Sequence, residues 1–222
     1  MSEGLFVTGT DTGVGKSRVA VGLIERLRRT GRVVVGFKPV AAGCEPGADG
    51  PRNEDALALQ AASSIELPYG RINPYAFEPP IAPHIAAAEA GVAVDVAALV
   101  AHYRGLSGEV EQVVVEGAGG WLVPLNGSET LADLAVALGL PVVLVVAIRL
   151  GCINHALLTA ESIRARDLVL RGWVANLIDG ETPRHRENIQ TLAARLDAPL
   201  LGTLPPLAPG ASAAPYLNLD VA

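Results

Sequence analysis

Residues 9–17 read Gly-Thr-Asp-Thr-Gly-Val-Gly-Lys-Ser and come shortly after the apolar run Leu5-Phe6-Val7. The order of apolar strand, glycine-rich loop and helix is typical of a phosphate-binding loop, or P-loop. The closing Gly-Lys-Ser is standard, whereas the leading glycine stands one residue further upstream than usual. Gly13 and Gly15 allow backbone N–H groups to close around phosphate oxygens, and the following helix adds its positive end. We therefore expect Lys16 to reach the β- and γ-phosphates of a nucleotide and the Ser17 hydroxyl to bind Mg²⁺.

Lysine is rare in this chain, which contains two lysines against fifteen arginines. One is Lys16 in the loop, and the other is Lys38, which ends the apolar run at 33–37 and precedes Pro39. An ammonium group is a compact point charge, while guanidinium is a wide planar fork, so the two cannot be exchanged at a tight oxyanion site. Both lysines stand at the ends of predicted strands, which favours a shared role in handling phosphate.

Composition excludes several classes of function. The chain has 222 residues, 50% of them apolar, and a net charge of −6, without any basic run. This argues against a nucleic-acid partner, and no stretch is long and apolar enough to span a membrane. Neither the two cysteines nor the four histidines show the spacing of a disulfide framework or a zinc site. With no signal peptide visible, we expect a cytoplasmic protein.

Short apolar runs alternate with longer helical segments along the whole chain. The predicted strands are 5–8, 33–38, 112–116, 142–148, 172–177 and 200–204. The predicted helices are 16–29, 54–62, 96–106, 131–138, 154–166 and 183–196. Strands that are apolar on both faces and separated by helices predict an α/β fold: a doubly wound, mostly parallel sheet with helices on both faces, as in P-loop NTPases. We expect residues 1–222 to form one domain, with loops at 42–83 over the site and a flexible tail from about 208.

Three further polar residues stand where such a fold places its ligand. Glu116 ends the apolar run at 113–115 and resembles the acid of a Walker B strand, with Glu in place of the commoner Asp. Asp55 is a second candidate acid, although its position also suits a helix start. Asn176 could pair with adenine by offering both a donor and an acceptor, although asparagine at a strand end is more often a turn residue.

Taken together, the motifs resemble those of the dethiobiotin synthetase family. The resemblance runs in order along nearly the whole chain and rests on residues 7–17, Lys38-Pro39-Val40, 115–120, Leu150-Gly151-Cys152-Ile153-Asn154-His155 and 172–176. The Gly-Cys-Ile-Asn-His block is much more specific than a P-loop. The resemblance implies a homodimeric, Mg²⁺- and ATP-dependent ligase of biotin biosynthesis, which converts 7,8-diaminononanoate, CO₂ and ATP into dethiobiotin, ADP and phosphate.

The resemblance also implies a role for each matching position. Lys16 and Lys38 would be catalytic, and the metal ligands would be Ser17, Asp55 and Glu116. The nucleotide would contact Gly13, Val14, Gly15, Lys16, Ser17, Arg18, Asp55, Glu116, Gly117, Ala118, Gly119, Asn176, Leu177, Pro205, Pro206 and Leu207. The diamine substrate would contact Thr12, Lys38, Ala42, Gly151, Cys152, Ile153 and Asn154, the last four from the partner subunit. Two positions depart from other members, with Gly13 where some carry an acid and Ala42 where others carry serine.

Three alternatives share parts of this pattern. A switch-type partitioning ATPase would carry an additional lysine early in the loop, where this chain has Thr10-Asp11-Thr12. A glutamine-dependent amidoligase would need a glutaminase domain, for which 222 residues leave no room. A non-enzymatic nucleotide-binding module would not require Lys38, Glu116 and Asp55 together.

Overall fold

The computed structural model describes residues 3–219. In chain order the strands are β1 (Glu3–Gly9), β2 (Val34–Phe37), β3 (Val40–Ala42), β4 (Tyr75–Phe77), β5 (Gln112–Glu116), β6 (Val142–Ala147), β7 (Leu170–Asn176) and β8 (Leu200–Leu204). The α-helices are α1 (Lys16–Arg28), α2 (Glu54–Ala62), α3 (Tyr69–Ile72), α4 (Pro83–Glu89), α5 (Val96–Ser107), α6 (Leu131–Leu138), α7 (Cys152–Arg164) and α8 (His185–Arg195). A short 3₁₀-helix covers Ala214–Tyr216.

Six strands form one parallel sheet in the order β2-β5-β1-β6-β7-β8. Every residue of β2, β5 and β6 is buried. Because successive residues of a strand point to opposite faces, this burial means that both faces of the sheet are covered. The predicted α/β class, the parallel sheet and all six predicted strands are therefore confirmed.

The sheet register brings distant residues to one edge. Phe37 pairs with Val115, so the next residues along β2 and β5, Lys38 and Glu116, come side by side. On the other side of β1, Asn176 pairs with both Ala147 and Leu204. The strand order reverses around β1, and the carboxyl ends of strands at such a point form the usual ligand crevice of open α/β sheets.

Local sequence signals explain where several helices begin. The side chain of Asn53 accepts hydrogen bonds from the N–H groups of Asp55 and Ala56 and so caps α2. Thr130 and Asp133 form a reciprocal capping box at the start of α6. In contrast, α1 follows Gly15 without a side-chain cap and without an acidic residue in its first turn. Its amino end is thus left to another hydrogen-bond acceptor.

The stretch at 42–83, expected to be loops, contains more regular structure than predicted. Beyond α2, which the sequence predicted, it includes α3, β4 and the beginning of α4, and β4 pairs with β3 in a small parallel sheet. The elements β3, α3 and β4 are each only three or four residues long. A segment of that length is too short to show a hydrophobic period in the sequence.

The carboxyl-terminal segment, expected to be a flexible tail from about 208, packs against α1 within the part of it that the structure describes. Ala213 and Leu217 are buried, and a Cβ on Gly22 of α1 would lie 2.9 Å from the Cβ of Ala213. The Asn218 N–H donates to the Leu201 carbonyl of β8. Flexibility of this segment stays a prediction, and residues 220–222 lie outside the described residues. Among residues 3–219, no helix is long and apolar enough to cross a membrane.

Candidate active site

The predicted P-loop lies at the carboxyl end of β1 and leads into α1. Gly13 and Gly15 have φ angles of 70° and 92°, a region that favours glycine. A Cβ on Gly15 would lie only 2.1 Å from Nδ2 of Asn176, whereas one on Gly13 would meet nothing within 4 Å. Glycine is therefore required at position 15 for two reasons: its backbone angle and the close approach of Asn176 from β7.

Lys16 is buried beneath this loop. Its Nζ donates to the Asp11 carbonyl at 3.0 Å, and the side chain adds no ion pair to that bond among the described residues. Burial, followed by the charge of Lys38, lowers the pKa of Lys16 to about 8. A bound triphosphate would bring negative charge to this ammonium group and raise its pKa again.

Lys38 is the centre of the site. Its Nζ lies 2.8 Å from Oε1 of Glu116, 3.4 Å from Oδ2 of Asp55 and 3.1 Å from the Gly117 carbonyl. Burial by itself lowers the pKa of this lysine, but the two carboxylates outweigh it and leave the pKa above its usual value. Lys38 therefore stays protonated, and burial raises the pKa of Glu116 against the opposing influence of Lys38.

Ser17, Asp55 and Glu116 meet at the same place, as predicted for metal ligands. The Ser17 hydroxyl donates to Oε1 of Glu116 at 2.7 Å. Oε2 of Glu116 is buried and has no hydrogen-bond partner among the described residues. An unpartnered buried carboxylate oxygen beside a hydroxyl and a second carboxylate fits a hard cation such as Mg²⁺. Within residues 3–219, no three His, Cys, Asp or Glu side chains are placed to hold a metal ion by themselves.

A cavity of about 790 Å³ opens over these residues. The predicted residues that line it are Thr12, Gly13, Gly15, Lys16, Ser17, Arg18, Lys38, Ala42, Asp55, Glu116, Ala118 and Gly119. It is also lined by residues that sequence reasoning did not single out, namely Ala41, Asn53, Glu54, Pro80, Ile81, Ala82, Pro83, Val123 and Pro124. The Gly- and Pro-rich stretch at 42–83 signalled the region of most of these residues but not their identities, since apolar loop residues carry no chemical pattern.

The predicted adenine-binding residues lie together at the ends of β7 and β8, beside the cavity and not in its lining. Nδ2 of Asn176 donates to the Val14 carbonyl of the P-loop at 3.0 Å. The Leu177 N–H donates to the Leu204 carbonyl, which places Leu177 next to 205–207. This neighbourhood was inferred from resemblance, and its contact with adenine stays a prediction.

Arg18 extends the predicted nucleotide surface toward the carboxyl-terminal segment. Its Nη1 donates to the carbonyls of Ala208 and Ala211, both at 2.9 Å. The first turn of α1 therefore holds the segment that follows 205–207 beside the P-loop.

The predicted substrate segment Gly151–Asn154 lies at the start of α7, outside the cavity of its own chain. Gly151 caps the helix with a φ of 94°, Cys152 is buried, and Asn154 is exposed. Just upstream, Arg149 forms an ion pair with Asp11 of the P-loop at 3.1 Å, and Leu150 is fully exposed. The amino end of α7 has no side-chain cap and no acid in its first turn, which suits an anionic group.

The chain is similar to known proteins along nearly its whole length. A family model described as an AAA domain matches residues 3–212. The chain is 55% identical to the ATP-dependent dethiobiotin synthetase BioD of Pseudomonas paraeruginosa, over 97% of this chain and 95% of that protein. The chain belongs to the dethiobiotin synthetase family. The proteins of the same name from Nitrosospira multiformis and Cellvibrio japonicus are 54% and 51% identical, over 92% and 99% of this chain and 89% and 96% of theirs.

Solved structures show the fold alone. The septum site-determining protein MinD of Pyrococcus horikoshii, complexed with Mg-ADP, superposes with a TM-score of 0.56 at 17% identity, over 92% of this chain and 82% of that one. The MinC:MinD cell division complex of Aquifex aeolicus gives a TM-score of 0.57 at 16% identity, over 93% and 82%. The dethiobiotin synthetase family thus shares its P-loop fold with distant proteins.

The close approach of Asn176 to Gly15 gives a first prediction. We expect Gly15→Ala to abolish measurable binding of a non-hydrolysable ATP analogue, because the new methyl group displaces Asn176 and deforms the loop. Gly13→Ala is the matched control, since it has a similar backbone angle and open space around it. It should lower the free energy of unfolding by only about 1–2 kcal/mol. Calorimetric titration and thermal unfolding measure both effects, and equal binding by the two variants would contradict the prediction.

Proposed function

We propose that this chain uses ATP to carboxylate 7,8-diaminononanoate with CO₂ and to close the ureido ring of dethiobiotin. The observation that supports this most directly is the buried Lys38, held between Glu116 and Asp55 next to the P-loop. A nucleotide-binding module would have no need for a second buried lysine facing the phosphate site. The family membership and the ATP-dependent name of its members support the same conclusion.

The first chemical step joins the carbamate to phosphate. CO₂ adds to one amine of the substrate, a proton leaves that nitrogen, and a carbamate oxygen attacks the γ-phosphorus of ATP in line. The bond between the γ-phosphorus and the β,γ-bridging oxygen breaks, and ADP leaves. All reacting groups are anionic, so the ammonium groups of Lys16 and Lys38 offset charge that would otherwise repel. Lys38 bridges carbamate and γ-phosphate, while Lys16 stays with the triphosphate.

The second step closes the ring. The remaining amine attacks the carbonyl carbon of the carbamic–phosphoric anhydride, loses a proton, and expels inorganic phosphate. The enzyme contributes by holding the second amine in line with the carbonyl carbon of the same molecule. No enzyme nucleophile takes part in this scheme. In agreement, Cys44 and Cys152 are buried, and neither lines the cavity.

We propose Ser17, Asp55 and Glu116 as the residues that hold Mg²⁺ together with the phosphate oxygens. The support is the unpartnered Oε2 of Glu116 and the proximity of Ser17 to Oε1 of the same carboxylate. When bound, the metal would neutralise charge on the triphosphate. The adenine would lie against Asn176, Leu177 and 205–207, beside the P-loop.

We further propose a homodimer with its sites at the subunit interface, acting in the cytoplasm, where ATP is available. The substrate carries its carboxylate far from the reacting diamine, so it needs a second anchoring point away from the P-loop. The start of α7 has no side-chain cap, although the Cys152 N–H donates to the Arg149 carbonyl, and it lies outside its own chain's cavity.

Replacing either lysine by arginine tests the phosphate chemistry. Lys38→Arg and Lys16→Arg should each lower kcat at least ~100-fold, because the planar guanidinium misplaces the charge at the reacting oxygens. Steady-state release of phosphate in the presence of 7,8-diaminononanoate measures the effect, with circular dichroism confirming that each variant is folded. Near-normal turnover of Lys38→Arg would remove the bridging role.

Neutralising each acid tests the metal site. Asp55→Asn and Glu116→Gln should both raise the Mg²⁺ concentration needed for half-maximal activity, whereas Glu54→Gln, an exposed neighbour in the same cavity, should not. The two variant proteins should differ in thermal stability. Asp55 is 36% exposed, so its loss changes thermal unfolding little, whereas Glu116→Gln leaves buried Lys38 without its nearest partner. Removing one partner of a buried pair costs about 3–5 kcal/mol. An unchanged Mg²⁺ titration would remove that residue from the metal site.

Subunit mixing tests the shared site. Lys38→Ala and Gly151→Val should each be inactive alone, the second because valine does not tolerate a φ of 94°. After subunit exchange, each heterodimer has one intact site, so an equimolar mixture should recover about a quarter of wild-type activity. No recovery after verified exchange would mean that each chain builds its own site.

A further inference from the structure

The backbone of Lys38 is held on both sides by residues of a single short segment. The Lys38 N–H donates to the Ile72 carbonyl at 2.8 Å, and the Lys38 carbonyl accepts from Nδ2 of Asn73 at 2.7 Å. The same amide nitrogen donates to the Tyr75 carbonyl at 3.1 Å. Asn73 is itself buried. The position of Lys38 therefore depends on Asn73 as well as on the central sheet.

Tyr69 connects this segment to the helix that carries Asp55. The Tyr69 hydroxyl donates to Oδ1 of Asn73 at 2.9 Å and accepts from the Asn53 N–H at 2.8 Å. Oδ1 of Asn53 in turn accepts from the Asp55 N–H at 3.1 Å. Burial raises the pKa of Tyr69, so the phenol keeps the proton that it donates.

The resulting chain of hydrogen bonds runs from the Lys38 backbone through Asn73, Tyr69 and Asn53 to Asp55. These bonds link the backbones of Lys38 and Asp55. The side chains of the same two residues also meet in the site, where Nζ of Lys38 lies 3.4 Å from Oδ2 of Asp55. Backbone and side-chain contacts together form a closed loop, which fixes the separation of ammonium and carboxylate. Among the described residues, none of these bonds reaches 9–17, so the loop is separate from the triphosphate cradle.

We propose that Tyr69 and Asn73 are positioning residues that set the geometry between Lys38 and Asp55 for phosphoryl transfer. The proposal rests on the function proposed above. Arg52 supports the same arrangement, since its guanidinium carbon lies 4.3 Å from the centre of the Tyr69 ring. A small displacement of a reacting group can greatly lower the rate. The Tyr69 hydroxyl holds Asn53, which caps the helix that carries Asp55, so its loss should affect catalysis.

Tyr69→Phe is the variant that tests this, because it removes one hydroxyl and keeps the ring beside Arg52. We expect kcat to fall at least about 10-fold while KM for ATP changes less than about 3-fold, since an interaction used in the transition state is lost and the P-loop residues 9–17 stay in place. Asn73→Ser should act in the same direction. In the double variant the two losses should not multiply, because both residues act through one chain of bonds.

Tyr75→Phe is the matched control, since its hydroxyl makes no hydrogen bond among the described residues and its backbone carbonyl is retained. It should keep wild-type kcat. A lower melting temperature with unchanged kcat in Tyr69→Phe would assign Tyr69 to packing alone and overturn the proposal, as would an equal fall in Tyr75→Phe. The wild-type protein in the same assay distinguishes failure of this inference from failure of the proposed function. If the wild-type protein shows no turnover, both are overturned; if it turns over, only the positioning role is being tested.

Discussion

The buried ion pair between Lys38 and Glu116 is the constraint on which the site depends. Both groups lie at the carboxyl ends of adjacent strands, and neither side chain is more than 4% exposed. A charge in such a place is tolerated only with a partner and further hydrogen bonds. Ser17, Asp55 and the Gly117 carbonyl supply them, so the P-loop, α2 and β5 are drawn to one point. The register of β2 against β5 therefore determines the contact between Lys38 and Glu116 as well as the packing of the sheet.

The surroundings of the two lysines shift their pKa values in opposite directions. Lys16 has a lowered pKa because it is buried without a carboxylate in contact, whereas Lys38 has a raised pKa because two carboxylates face it. A bound anion would therefore hold the proton on Lys16 more firmly, whereas two carboxylates already do this for Lys38. Such a division suits a reaction in which one ammonium group holds a nucleotide and the other must find a carbamate that forms later.

Sequence alone predicted the central sheet because its strands are short runs rich in apolar residues. It predicted the P-loop because Gly13, Gly15 and Lys16 stand at fixed spacing. Lys38 and Glu116 were recognised separately, but their contact follows from register, which no local pattern encodes. Tyr69 and Asn73 were missed for another reason. They are isolated polar residues in a stretch rich in Gly and Pro, and their importance arises only when residues 35 positions apart are brought together. The packing of Ala213 and Leu217 on α1 was hidden in the same way by a Pro- and Ala-rich composition.

The contact between Asn176 and the P-loop has a consequence for the order of synthesis. The Val14 carbonyl and the Asn176 amide are 162 residues apart in the chain, and a side chain at Gly15 would fill the space that this amide occupies. At about 5–20 residues per second, a ribosome needs roughly 10–30 s to make that span. During this interval β5 and then β6, the two neighbours of β1, are synthesised, and the loop lacks its contact with Asn176 until the end. A nascent chain thus carries the complete P-loop sequence long before it can bind a nucleotide as the finished enzyme does.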